Sequence, residues 1–175
     1  MAEELKIETF DGEREGERTQ ELVALLQDAV SSGASVGFLP PLSEEEARQY
    51  WQGVLEKVLL GTRVLLVARI DGRIVGSVQL DLATQPNGLH RAEVQKLFVL
   101  QRARCHGIGR KLMHKVEQVA RERGRTLLVL DTRQGDSAEQ LYRSLGYEEV
   151  GVIPKYAKSG AGTLDATVFF YKLLD

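Results

Sequence analysis

The chain has 175 residues, 43% of them hydrophobic and 27% charged, which is typical of one soluble globular domain spanning 1–175. The 23 basic and 25 acidic side chains give a net charge of −2, which provides no electrostatic reason to expect nucleic acid or an anionic membrane as partner. A single cysteine, Cys105, excludes an intrachain disulfide, and no signal peptide or membrane-spanning run is found, so we expect a cytoplasmic protein.

The chain is predicted to begin with two helices. A charged, glycine-broken stretch at 11–18 is expected to form a loop, and apolar residues then recur at helical spacing over 22–30. The segment 33–41 contains two glycines and two prolines, which exclude a helix there. Ser43 caps a second helix, because Glu46 three residues later completes a capping box ahead of an apolar helical face.

Three strands are predicted to follow. The first covers 63–70 and the second covers 73–82, both rich in β-branched and aliphatic residues. Asp71-Gly72 between them indicates a two-residue hairpin, because glycine accepts a positive φ at little cost. A turn at Pro86-Asn87-Gly88 leads to a third strand over 92–99.

Helices and strands alternate after this point. A third helix is predicted over 107–123, where the apolar residues share one face and Gly124 ends the helix. The short apolar run at 126–130 is consistent with a strand buried on both faces. A fourth helix is predicted over 136–145.

Two further strands are predicted at about 147–153 and 167–173, and the segment 154–165 between them is expected to be a mobile loop. The order of the elements predicts an α+β fold, in which helices pack on a mixed sheet. It lacks the regular alternation of a doubly wound nucleotide-binding fold.

A glycine-containing segment, Arg104 to Gly109, lies between a predicted strand and a predicted helix. Its glycines let a ligand approach the backbone closely, and a helix N-terminus offers unpaired N–H groups and partial positive charge. The segment therefore suits a pyrophosphate, although a tight turn without a ligand explains the glycines equally well. A dinucleotide fingerprint is excluded, because its third glycine would fall at Leu112. A Walker loop is excluded, because the segment lacks Gly-Lys-Ser/Thr.

The same segment fits the pattern R/Q-x-x-G-x-G/A, and 138–147 fits A-x-x-L-Y followed by x-G-F/Y. On these motifs, which lie within 64–155, the chain resembles the GNAT superfamily of N-acetyltransferases. The resemblance implies an α+β fold with a mixed, largely antiparallel sheet of about seven strands and about four flanking helices. It also implies acetyl-CoA as cosubstrate, held by Leu97, Phe98, Val99, Arg104, Cys105, His106, Gly107, Ile108, Gly109 and Arg110.

Two details refine this resemblance. Many members carry asparagine three residues before the motif alanine, where this chain has Gly135, so any polar contact of that side chain is replaced or absent. The segments 33–38, 86–97 and 109–120 resemble the tabtoxin-resistance branch of the family, which acetylates a β-lactam toxin. This implies toxin or antibiotic resistance as a role.

Acetyl transfer to an amine requires a base, an oxyanion donor and an acid for the leaving thiolate. The resemblance implies Tyr142 as the acid and either Glu93 or Asp131 as the base. The alternatives without chemistry are a packing role for Tyr142, a turn hydrogen bond for Asp131, and solvent exposure or an ion pair with Arg91 or Lys96 for Glu93.

Direct attack is implied as well, so no covalent nucleophile is required and Cys105 has no chemical role. The oxyanion donor is expected to be a backbone N–H near Phe98 or Val99.

The acceptor is expected to lie against Val36, Phe38 and Tyr156. No metal is expected, since the three histidines lack ligand spacing. The leading function is transfer of an acetyl group to a primary amine or hydroxyl of a small molecule, of β-lactam or amino-acid-like type. A protein or peptide N-acetyltransferase and a non-catalytic CoA-binding sensor are the alternatives, and both a monomer and a homodimer stay open.

Overall fold

The computed structural model describes residues 4–13 and 18–175, so part of the predicted loop at 11–18 lies outside the described residues. The elements in chain order are β1 (Leu5–Thr9), α1 (Thr19–Ser31), α2 (Glu44–Leu59), β2 (Arg63–Ile70), β3 (Arg73–Leu82), β4 (Arg91–Val99), α3 (Ile108–Glu122), β5 (Leu127–Arg133), α4 (Ser137–Ser144), β6 (Glu148–Lys158) and β7 (Leu164–Leu173). Short 3-10 turns occupy Pro86–Gly88 and Gln101–Ala103. None of the helices described is long and apolar enough to cross a membrane.

Seven strands form one sheet in the order β1-β2-β3-β4-β5-β7-β6. Strands β4 and β5 pair in parallel, and each other neighbouring pair is antiparallel. The parallel pair is joined through α3, because two parallel neighbours need a long crossover connection. The predicted α+β fold with a mixed, largely antiparallel sheet is thereby confirmed.

The sheet has an apolar core on each face. Successive side chains of β2 point to opposite faces, so Leu65 and Leu66 enter different cores. Leu65 packs with α1 and α2, where the fully buried Trp51 is the largest side chain. Leu66 packs with the apolar face of α3, including Leu112. Both faces of the central strands are therefore covered by helices.

Local signals in the sequence account for two of the boundaries. The Ser43 hydroxyl accepts a hydrogen bond from the Glu46 N–H at 3.2 Å, and the Glu46 carboxylate accepts one from the Ser43 N–H at 3.0 Å. This is the capping box that was predicted. Asp71 and Gly72 both have positive φ, at 49° and 79°, as a two-residue hairpin turn requires.

The sheet differs from the predicted elements in three places. Strand β1 was not predicted, because it offers only Leu5 and Ile7 as alternating apolar positions among charged residues. Strand β5 is not buried on both faces: Leu128 and Leu130 are buried, whereas the alternate residues are half exposed.

The segment 154–165, expected to be a mobile loop, instead extends both β6 and β7 and leaves a short turn between them. Exposed polar residues concealed the strand pattern there. The register of β6 with β7 also shifts between Ile153 and Ala157, which breaks the alternation of side chains.

Candidate active site

A cleft opens where the two parallel strands separate. Strands β4 and β5 pair only from Arg91/Leu127 to Glu93/Val129, yet β4 continues to Val99 and β5 continues to Arg133. Beyond Glu93, the edge of β4 that faces β5 therefore has no strand partner. A cavity of about 850 Å³ lies in this gap and extends to the start of α3.

A bulge in β4 shapes one wall of the cleft. The register with β3 places Gln79 opposite Gln95 and Ser77 opposite Phe98, so two residues of β4 oppose one residue of β3. Lys96 in this bulge has a φ of 54°, in the left-handed region. A bulge leaves one residue out of the hydrogen-bond ladder and redirects the side chains around it.

The side chains of Leu97, Phe98 and Val99, three residues that the family resemblance assigns to acetyl-CoA, take different positions after the bulge. Leu97 and Val99 line the cavity. Phe98 is buried in the core between the sheet and helices α1 and α2, where its ring meets Trp51 edge-on with centroids 6.4 Å apart. A contribution of Phe98 to the cleft is therefore limited to its backbone.

The other end of the cavity is formed by the turn into α3. Gly107 is the N-cap of α3 with a φ of 76°, and the Lys111 N–H donates to its carbonyl oxygen at 3.1 Å. The backbone N–H groups just before Lys111 have no hydrogen-bond acceptor within the helix, because no helical residue lies four positions before them. They supply hydrogen-bond donors and partial positive charge at the cavity wall.

The two glycines of this turn have different surroundings. A Cβ atom on Gly107 would meet no protein atom within 4 Å, so its backbone faces open space. A Cβ on Gly109 would lie 3.4 Å from Leu141 Cδ2, in the contact between α3 and α4. Gly107 therefore leaves room for a ligand, whereas Gly109 lets the two helices approach.

The arginine side chains at this end of the cavity also form hydrogen bonds to other residues of the protein. The Arg104 guanidinium donates to the Val99 carbonyl oxygen and to the Ser32 hydroxyl, both at 2.9 Å. Arg110 donates to the Ser144 hydroxyl at 2.7 Å. They line the cavity together with Cys105, Gly107, Ile108 and Gly109.

His106 does not line the cavity, because its Nδ1 turns back to lie 2.7 Å from the Arg104 carbonyl oxygen.

The two carboxylates proposed from the sequence lie on one face of the sheet. Glu93 is level with Val129 on β5, and Asp131 is two residues further along that strand, so both side chains line the cavity. Thr167 is buried, and its hydroxyl donates a hydrogen bond to Asp131 Oδ2 at 2.7 Å. The same hydroxyl lies 3.0 Å from the Thr132 carbonyl oxygen. It can therefore hold the Asp131 carboxylate in one orientation.

The structure also bears on the alternative roles of these carboxylates, which are a turn hydrogen bond for Asp131 and an ion pair or solvent exposure for Glu93. Asp131 belongs to β5 rather than to the following turn, where Asp136 accepts hydrogen bonds from Arg133 at 2.8 and 3.0 Å. Glu93 forms no ion pair among the described residues, although its charge partly offsets the effect of burial, which lowers the pKa of Lys96. Because Glu93 is partly exposed, it still fits the alternative of a strand residue that faces solvent, and its role in the site stays a prediction.

Tyr142 on α4 both packs and faces the cleft. Its ring contacts those of Tyr147 and Phe170, at centroid distances of 5.8 and 6.2 Å, and only 6% of the residue is exposed. Burial raises the pKa of its phenol strongly, and the Asp131 and Asp136 carboxylates raise it further. The phenol therefore keeps its proton at neutral pH and can donate it into the cavity that it lines.

The far end of the cavity is enclosed by the 33–37 segment and by β6. Val36 and the half-exposed Tyr156 line it, whereas Phe38 lines an adjoining cavity of about 230 Å³ and packs edge-on against Tyr50. The Lys96 ammonium donates to the Val36 carbonyl oxygen at 2.6 Å.

Lys96 and Thr167 were not among the site residues found from the sequence. Lys96 reaches the cleft through the bulge in β4, and Thr167 reaches it through the register of β7 with β5. Neither residue belongs to a motif.

A model of the acetyltransferase (GNAT) family matches residues 22–147. An uncharacterized N-acetyltransferase of Azospirillum brasilense is 36% identical over 133 residues, which cover 75% of this chain and 77% of that protein. The crystal structure of ribosomal-protein-alanine N-acetyltransferase from Brucella melitensis is 26% identical, with a TM-score of 0.79 over 97% of this chain and 99% of that one.

A further solved structure resembles the fold alone. It is a putative acetyltransferase from Salmonella typhimurium with its cofactor acetyl-CoA, 20% identical with a TM-score of 0.78, covering 98% of this chain and 94% of that chain.

Proposed function

We propose that this chain, which belongs to the acetyltransferase (GNAT) family and is therefore an acyltransferase, moves the acetyl group of acetyl-CoA directly onto a primary amine or hydroxyl of a small molecule. The observation that carries the proposal is one continuous cavity. An anion-binding helix terminus lies at one end, and Glu93, Asp131 and Tyr142 lie along its course. We further propose that the whole chain is one domain and that it acts in the cytoplasm.

The residues present fit acetyl-CoA. The open space at Gly107 and the free amides of the α3 N-terminus would receive the pyrophosphate, with Arg104 and Arg110 at its border. The unpaired edge of β4 at Leu97 and Val99 would hydrogen-bond the pantetheine amides as a further strand does. The thioester supplies the activated acetyl group.

The residues where β4 and β5 separate would each carry one step of the acetyl transfer. Glu93 or Asp131 accepts the proton of the acceptor ammonium, directly or through water, so that a neutral amine attacks the thioester carbonyl. A backbone N–H at the bulge, near Phe98 or Val99, stabilises the negative oxygen that forms. Tyr142 donates its proton to the departing sulfur, and Thr167 keeps Asp131 in place.

A contact beside the acceptor end favours a small molecule. Gly160, in the turn between β6 and β7, approaches Pro40 so closely that a Cβ atom there would lie 2.9 Å from Pro40 Cγ. The 33–41 segment and the β6–β7 hairpin therefore meet at the adjoining smaller cavity, which leaves less room for a peptide to extend in that direction.

A protein amine is the second candidate. It is favoured by the likeness to an enzyme named for acetylating a ribosomal-protein alanine.

The test is release of the CoA thiol from acetyl-CoA by the purified protein with a panel of acceptors. The panel contains amino acids, polyamines, short peptides and tabtoxinine-β-lactam, since the resemblance to the tabtoxin-resistance branch implies a β-lactam or amino-acid-like acceptor. Release that saturates with free amines but not with peptides supports the proposal. Release with peptides alone moves the function to the second candidate.

A further inference from the structure

Lys96 is a basic side chain at the acceptor end of the cavity that the reaction steps above leave unused. We propose that its ammonium binds a carboxylate of the acceptor, so that the acceptor is an amino-carboxylate whose amine lies at Glu93 and Asp131. The inference rests on the proposed function and deepens it, because it names the substrate class and the residue that selects it.

The backbone of β4 is distorted at this residue. With a φ of 54°, Lys96 occupies the left-handed region, which non-glycine residues adopt only when their surroundings impose it. In a regular strand the residue after Gln95 would point to the opposite face of the sheet. The bulge breaks this alternation at Lys96. The Lys96 ammonium reaches the carbonyl oxygen of Val36, which also lines the cavity, so the lysine side chain lies at the acceptor end of the cleft.

The 33–37 segment fixes the position of the ammonium. Lys96 Nζ donates to the Val36 carbonyl oxygen at 2.6 Å, and a Cβ atom on Gly37 would lie 3.4 Å from the same nitrogen. An ammonium has three N–H donors, so two remain for a ligand or water.

No carboxylate among the described residues forms an ion pair with the Lys96 ammonium. Burial lowers the pKa of Lys96 below its usual value, and the nearby Arg63 guanidinium lowers it further, although the Asp131 and Glu93 charges act in the opposite direction. The surroundings therefore disfavour the charged form on balance. A carboxylate that binds beside this half-buried cation would stabilise it.

The other basic residues that line the described part of the cavity already have partners. Arg104 and Arg110 bond to a carbonyl and to hydroxyl groups at the cofactor end. Arg133 pairs with Asp136 at 2.8 Å and with Asp165 at 3.8 Å. Lys96 is therefore the cation best placed to receive an acceptor anion.

The charges at this end complement a dipolar molecule. Glu93 and Asp131 attract an ammonium group, and Lys96 attracts a carboxylate. A simple amine would satisfy only the acidic side and leave the lysine without an anion. An amino-carboxylate satisfies both.

The experiment compares amino acids with their own carboxamides as acceptors, in the wild type, Lys96→Met and Lys57→Met. The carboxamide keeps the shape and loses the charge. The carboxamide group also lowers the basicity of the neighbouring amine, so more of that amine is neutral and able to attack. Amine protonation alone would therefore favour the carboxamide, and a preference for the acid arises from binding of the carboxylate. Lys57 is an exposed lysine of α2 outside the cavity, and it controls for loss of a positive charge.

We expect the wild type and Lys57→Met to favour the acid in kcat/KM by about 10–100-fold, and Lys96→Met to lose that ratio. Lys96→Arg should keep part of it, because the charge remains. Equal kcat/KM for acid and amide in the wild type overturns the inference while leaving the acetyltransferase in place, and this result requires no variant to fold.

A ratio that survives in Lys96→Met shows that the lysine only holds the loop, which also overturns the inference. If the wild type acetylates no acceptor at all, the proposed function fails and this inference fails with it.

Discussion

At the scale of single residues, Tyr142 has both a packing role and a position in the site. Its ring contacts those of Tyr147 and Phe170, and Tyr142 also lines the cavity. Packing fixes the ring, and burial makes the phenolate unfavourable, so the residue is suited to donating a proton. The sequence motif located this tyrosine, whereas its neighbours could be known only from the fold.

Replacing Tyr142 with phenylalanine removes the proton donor and keeps the ring. We expect kcat to fall by about 10–10³-fold, with the Kd for acetyl-CoA little changed. Tyr147→Phe is the matched control, because Tyr147 is equally buried and does not line the cavity. Steady-state kinetics and calorimetry measure the two quantities, and a Tyr142→Phe enzyme with wild-type kcat would remove this residue from the mechanism.

The pH profile provides a second test of Tyr142. Because burial raises the pKa of its phenol, the donor keeps its proton to a higher pH than a free tyrosine does. The rate should rise as the acceptor amine loses its proton, and it should show no fall from loss of the tyrosine proton below about pH 10. A descending limb at pH 8–9 that disappears in Tyr142→Phe would contradict this environment.

Gly107 tests the anion-binding end. A valine there would place its side chain in the open space of the cradle, and we expect the Kd for acetyl-CoA to weaken by about tenfold or more. Gly61→Val is the control, because Gly61 has the same φ of 76° and equally open surroundings but lies outside the cavity. Both variants carry the same backbone strain, so equal affinities, measured by calorimetry, would refute the cradle.

Gly135 supports the turn before α4 in place of the asparagine that many family members carry. Its φ is 87°, in the region that glycine and asparagine adopt most readily, and its N–H donates to the Glu139 carboxylate at 2.9 Å. The turn before α4 is therefore formed without the asparagine side chain.

At the scale of elements, the approach of α3 to the sheet depends on Gly76 in β3. A Cβ atom there would lie 2.9 Å from the Phe98 carbonyl oxygen and 3.3 Å from Leu112 Cδ1. The first contact is to the backbone of the bulged strand, which cannot move without disturbing the cleft. Position 76 thus couples the packing of α3 to the wall of the site.

Gly76→Ala should therefore lower the free energy of unfolding by about 1–3 kcal/mol through overpacking. Gly53→Ala is the opposite case, since Gly53 lies within α2 and a Cβ there would meet no atom within 4 Å. Alanine favours a helix interior over glycine by about 1 kcal/mol, so this control should gain stability. Urea unfolding measures both, and two shifts of the same sign would disprove the packing argument.

Elements with strong local signals could be predicted from the sequence. The capping box at Ser43 and the hairpin at Asp71-Gly72 depend on neighbouring residues, and the structure has both. Strand β1 and the outer part of β6 could not be found, because exposed edge strands need little apolar periodicity. The start of β7 was missed as well, since it pairs with β6 alone. Their pairing is decided by the strands beside them.

At the scale of the whole molecule, the site arises from the divergence of β4 from β5. The loop motif and the candidate carboxylates were visible in the sequence, but the bulge at Lys96 and the contact of Thr167 with Asp131 depend on register between distant strands. A single sequence contains no direct signal for the register between distant strands. The substrate side of the cleft is consequently the part that needed the fold.

The topology separates stability from function only in part. Each core lies under helices on one face of the sheet, whereas the cavity follows the gap between the parallel strands. Tyr142 and Ile108 belong both to a core and to the cavity wall, so changes there should act on unfolding and on turnover. Changes at core residues that do not line the cavity, such as Leu66, should act on unfolding.

The most direct test of the account is a paired measurement on the wild-type protein with a saturating amino-acid acceptor. Released CoA thiol and acetylated product, identified by mass spectrometry, are quantified in the same reaction. The account predicts that both appear only when the acceptor is present, in a ratio of about one to one, because the acetyl group passes directly from thioester to amine. Binding of acetyl-CoA by the folded protein without acceptor-dependent release, or thiol release without acetylated product, would contradict it.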